Sequence, residues 1–321
     1  MDTVQDWWKN RLAEDIYATL RIKEKHQDMY LGISTQLWMR PNLVNWILML
    51  TQGLDASATT LHLAVYLLDN FLDGLKVDLN KLFLVAETCF ILAVKFEDNS
   101  RGKLKFSTVM NLVPDPDEFI PPGSSISSPH PSYTLQEYKS MEQAVLHFLD
   151  WELAVSVVPH FVPYFLQVAL DDDDLQNGLP ILSKPLVKSH VERQTLYFQT
   201  VCLQDSSFRQ IAPSLVAASC VASSRMNLEL TPTWPKQLEL ITDYRLEELM
   251  PCTQKLLKFY RFHQQFCNGT LPVAIPNDII LHPVYIPNDE NHAAGYSTSL
   301  RNYDRSSLFS AAPNIPWSQR S

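Results

Sequence analysis

Glu142 and Arg40 both sit where a charge is hard to accommodate. Glu142 falls between Tyr138 and Val145 or Leu146 on the apolar side of a helical pattern, where an unpaired carboxylate is costly. A carboxylate can only accept hydrogen bonds, and an internal salt bridge with the ammonium of Lys95 is one way to satisfy it. Lys95 itself ends a second apolar helical stretch, where a cation meets unpaired carbonyls. Arg40 is the only charged residue in MRPNLVNWILML, residues 39–50, whose apolar side chains would girdle a helix nearly all round. A guanidinium there needs a carboxylate from the helix packed beside it, and Asp69 is placed to supply one.

The remaining reactive residue types form no catalytic set. Asp171 to Asp174 are consecutive acids in a Pro- and Gly-flanked connector and read as a solvated loop, not a metal site. The 9 histidines include no zinc-type spacing. The 5 cysteines, Cys89, Cys202, Cys220, Cys252 and Cys267, form no CxxC pair and read as buried thiols in a reducing compartment. With only 8 glycines, never clustered, there is no phosphate-cradling loop. No nucleophile with a nearby base can be read, so neither an enzyme nor a cofactor nor a bound metal is expected.

Charge and hydropathy limit the partners. A net charge of -9, from 26 basic and 35 acidic residues, has the wrong sign for binding nucleic acid through its phosphates. No apolar run reaches the ~18 residues of a membrane span, and no secretory leader is visible. A soluble intracellular protein, nuclear or cytoplasmic, with no membrane partner is the expectation.

The elements that must position these residues are all helices. An amphipathic helix over 3–25 carries Trp7, Leu12, Ile16 and Leu20 as its apolar stripe. Pro41 is tolerated only in a first turn, so the central helix should begin near Trp38 or Met39. Further helices are expected over 57–73, capped by Ser57, over 78–95, over a short 103–112 and over 134–151. Between the last two, residues 114–132 are rich in Pro and Ser and make a loop. A second series follows at 157–170, 191–204, 212–228, 235–242 and 245–266. The chain thus divides into an N-terminal helix and link (1–34), a first domain (35–153), a second (154–267) and a tail expected to be disordered (268–321).

Four separated motifs, MRPNLVNWI at 39–47, HLAVYLLDNFLD at 62–73, AVKFED at 93–98 and MEQAVLHFLDWEL at 141–153, resemble the cyclin family in wording and order. QDWWKNRLAEDI near the start and CVASSRMNLELTPTWPKQL at 220–238 are similar to an atypical branch of that family. The resemblance implies an all-α chain of two tandem five-helix cyclin-box domains, acting as a regulatory subunit that binds and activates a cyclin-dependent kinase. It implies that Lys95 and Glu142 form the central pair against the end of a kinase helix, on an apolar platform of Leu92, Phe96, Leu146, Trp151 and Leu153. Arg40 and Asp69 match the family's buried ion pair, and Met39, Leu43 and Trp46 its docking groove for basic Arg-x-Leu peptides of substrates or inhibitors. Asn42, Met49 and Phe83 depart from the groove's pattern and remove the carboxylate that would attract the arginine. The Pro/Ser loop is either a passive insertion or a modification site at Ser128, which precedes Pro129. These departures leave room for an alternative, a cyclin-fold adaptor that recruits proteins without switching on a kinase.

Overall fold

A computed structural model describes residues 11–98 and 133–267. The expected helix over 103–112, the Pro/Ser loop, Trp7 and the tail lie outside the described residues. Helix α1 spans Arg11–His26, and a 3-10 turn at Leu37–Met39 leads into α2, Arg40–Gly53. Pro41 sits in the first turn of α2, where its missing N–H is not needed. α3 (Ala58–Gly74) starts at Ser57, whose Oγ accepts from the Thr60 N–H at 3.1 Å. α4 (Leu82–Glu97) returns alongside it, and Asp98 beyond its end accepts from the Ser57 N–H at 3.1 Å and the Thr60 hydroxyl at 2.7 Å.

α5 covers Leu135–Phe148 and opens with a reciprocal cap: Thr134 N–H donates to Glu137 Oε2 at 2.8 Å, and Glu137 N–H to Thr134 Oγ1 at 3.3 Å. Periodicity places its end at Trp151. The helix stops earlier because Asp150 (φ 48°) and Trp151 (φ 63°) turn left-handed. α2 packs on α3 and α4 in this first bundle, with Leu43, Val44, Trp46, Ile47, Leu48 and Leu50 all buried. An apolar girdle has to be enclosed on every side.

The second bundle comprises α6 (Val158–Gln167), α7 (Lys184–Cys202), α8 (Pro213–Asn227), α9 (Lys236–Thr242) and α10 (Leu246–Cys267). α8 is its axis, and the run Ala217, Ala218, Ser219, Cys220 lets neighbouring helices approach closely. α7 starts before the expected 191, with Pro185 in its first turn. The acidic, Pro-containing connector carries β1 (Leu175–Gln176) and β2 (Leu179–Pro180), and β1 also pairs antiparallel with β3 (Leu230–Thr231). Asn177 and Gly178 turn this hairpin with φ of 54° and 75°, a conformation that Asn-Gly favours.

Two expectations are corrected here. Asp174 is not part of a solvated loop: it is buried and takes Arg225 of α8 through two hydrogen bonds of 2.8 Å, with both side chains fully enclosed. α1 does not pack by Leu12 and Ile16, which are exposed. It turns Ala13, Tyr17 and Leu20 onto the second bundle, where the Tyr17 ring meets Phe161, Tyr164 and Phe165. Aromatic edge contacts there outweigh the aliphatic stripe.

Candidate functional site

Lys95 lies in the last turn of α4 and Glu142 in the middle of α5. The fold brings them together from 47 positions apart: Lys95 Nζ donates to Glu142 Oε1 at 2.6 Å. Both reach solvent, with side chains 53% and 28% exposed. In this position the pair keeps unused capacity, two further ammonium protons and the remaining carboxylate lone pairs.

Apolar groups flank the pair unequally. Phe96 is 45% exposed and Trp151 62% exposed, the latter held by its own N–H on the Leu146 carbonyl at 2.9 Å and by an edge contact with His147. Leu153 is half-buried against the first core. Leu92 and Leu146 are buried in that core, so they support the face from beneath and do not form its surface. Glu97 and His160, unremarked in the sequence, sit beside this end of α4 with 3.6 Å between Oε1 and Nε2.

The Arg40 guanidinium meets Asp69 through Nε at 2.7 Å and Nη2 at 2.9 Å, and its Nη1 donates to the Leu203 carbonyl at 2.8 Å. Burial opposes the charge on Arg40, but Asp69 more than offsets it and the guanidinium is held above its ordinary range. Arg209 approaches the same carboxylate from the second bundle at 3.5 Å and lies over the Tyr66 ring at 4.1 Å.

Met39, Leu43 and Trp46 have no accessible surface. Phe83 lies beside Trp46, with ring centroids 4.8 Å apart at 60°.

The sequence and the fold match proteins already known. Residues 15–154 fit the family model "Cyclin, N-terminal domain", and residues 160–268 fit "Cyclin, C-terminal domain". The chain is 36% identical over 251 residues to cyclin-J of Xenopus laevis, covering 78% of this chain and 62% of that one. It is 33% identical over 257 residues to cyclin-J of Homo sapiens, covering 80% and 63% respectively. It therefore spans somewhat under two thirds of the length of these relatives. A viral cyclin from herpesvirus saimiri shares the fold, with a TM-score of 0.56 at 14% identity over 75% of this chain and 94% of that one. Two matched cyclin domains in tandem, on a helical scaffold that carries the four motifs in order, place this chain in the cyclin family.

Proposed function

We propose that this protein is a regulatory subunit that binds a cyclin-dependent serine/threonine kinase and holds it in its active arrangement. The observation that carries this reading is the meeting of Lys95 and Glu142 at 2.6 Å on an accessible face flanked by exposed Phe96 and Trp151. A helix end presents main-chain groups with no partner of their own. The ammonium of Lys95 suits its carbonyls and the carboxylate of Glu142 suits an N–H, each as a charge-assisted hydrogen bond. Trp151 would give the interface a large amphipathic anchor. A kinase helix gripped in this way is kept inward, so that the kinase's own Lys–Glu pair can assemble around ATP.

The test is co-purification of the tagged full-length chain with partners identified by mass spectrometry, beside Lys95→Ala/Glu142→Ala. A protein kinase should accompany the wild type and be lost from the double variant, with circular dichroism unchanged. Truncating such contacts costs on the order of 2–5 kcal/mol of binding. If the double variant kept all its partners, or the wild type carried no kinase, the chain would be an adaptor.

A further inference from the structure

The seam between the two bundles holds more positive than negative charge. Arg40 from α2 and Arg209 from the 3-10 turn Ser206–Gln210 share one carboxylate, Asp69. Asp69 takes Arg40 through two short bonds and Arg209 only loosely, at 3.5 Å. The next nearest acid on this turn, Asp205, is committed to Lys255 at 2.6 Å. The rings of Tyr66 and Tyr30, 4.1 and 5.6 Å from the Arg209 guanidinium, offer a quadrupole but no countercharge. A buried charge without a full partner is costly.

One buried nitrogen at this seam, His62 Nε2, makes no hydrogen bond, and Arg209 Nε has only the Asp69 carboxylate at 3.5 Å. Both residues line one cleft of about 40 Å³ between the bundles, together with Arg40, Tyr66 and Ser156 and otherwise mostly apolar walls. Ser156 is already committed, its hydroxyl donating to the Leu20 carbonyl at 2.9 Å. A space of this size holds on the order of three water-sized centres, which suits an ion of three or four heavy atoms. An anion would supply the missing charge and accept from the guanidinium. A neutral imidazole offers a proton at one nitrogen and a lone pair at the other. An oxyanion that also carries a proton can answer whichever of these faces the cleft.

We propose that this cleft binds one small protonated oxyanion of the bicarbonate class, countering Arg209 and meeting His62 Nε2. The site is independent of the Lys95–Glu142 face, and the proposal stands whether or not a kinase binds there. The full-length chain is melted in sodium bicarbonate and in sodium chloride at equal ionic strength, in mildly alkaline buffer. A saturable rise in midpoint with bicarbonate and none with chloride is expected, with calorimetric titration giving one site per chain. His62→Phe fills the cleft and should abolish the rise. Arg209→Lys keeps the charge but loses the fork, and should weaken binding about tenfold. Equal responses to the two salts, heats that never saturate, or affinity unchanged in Arg209→Lys would overturn the assignment.

Discussion

Lys95 and Glu142 belong to a class of ion pair that contributes little to folding. Exposed pairs are worth about 0–1 kcal/mol, so Glu142→Ala alone should leave the urea midpoint nearly unchanged while weakening partner binding. His62 behaves in the opposite way. Burial pushes its pKa from 6.5 down to about 3, the Gln199 carbonyl opposing and the charges of His160 and Arg209 reinforcing the fall. The unfolded chain binds a proton at this histidine below 6.5 and the folded chain does not until about 3. Stability present above the first value is therefore lost as pH falls across that window, by roughly 1.4 kcal/mol per pH unit. His62→Gln should remove that slope from plots of unfolding free energy against pH. At the groove, an Arg-x-Leu peptide should show no saturable binding by fluorescence polarisation, because Met39, Leu43 and Trp46 are sealed. The sequence marked Met49 and Phe83 as departures, but only packing reveals that the Phe83 ring lies beside Trp46.

At the scale of elements, α5 deserves the closest test because it carries Glu142. Its start rests on the reciprocal cap between Thr134 and Glu137, and Thr134→Ala should cost about 1 kcal/mol by chemical denaturation. Glu137→Gln, which can still reach back to the Thr134 N–H, should cost less. Helices with a clear period and a local stop signal were legible: Ser57 marks the start of α3, and Pro41 limits the start of α2. What was not legible depends on distant partners. The packing face of α1 is set by Phe161, Tyr164 and Phe165 far along the chain. The small sheet needs β3, about fifty residues beyond β1, although Asn177-Gly178 was a local signal for its hairpin. Arg225, the one guanidinium inside the apolar run of α8, needs a buried carboxylate for the same reason as Arg40, and Asp174 supplies it.

At the scale of the whole molecule, the question is what makes the two bundles one body. Polar contacts cross the seam at several points: Arg40 to the Leu203 carbonyl at 2.8 Å, Arg209 to Asn70 at 2.9 Å and Gln204 to Asn45 at 3.1 Å. α1 is tied to the second bundle, since Glu24 accepts from the Ser214 N–H at 3.0 Å and hydroxyl at 2.8 Å, while Gln27 donates to the Ser156 carbonyl at 2.9 Å. None of this could be read in advance, because each contact joins single polar residues well over a hundred positions apart. Asp69 is the common point, the carboxylate that guanidiniums from both bundles approach. Asp69→Asn keeps the shape and removes the charge, leaving Arg40 and Arg209 buried without a countercharge. That should cost on the order of 3–5 kcal/mol, whereas Asn70→Ala, which deletes one hydrogen bond to Arg209, should cost about 1 kcal/mol. Trp46 lies in the first core and Trp234 packs on the second, its Nε1 donating to the Tyr244 carbonyl at 3.0 Å. Variants that retain Trp46 or Trp234 as the sole tryptophan of the 7 therefore report each bundle separately. In urea the parent and Asn70→Ala should show coincident transitions at the two reporters. Asp69→Asn should separate them, with the Trp46 signal lost first because the carboxylate belongs to α3 of that bundle. Coincident transitions in Asp69→Asn, with a midpoint close to the parent, would mean that the apolar contacts and the other polar contacts unite the bundles without the shared carboxylate.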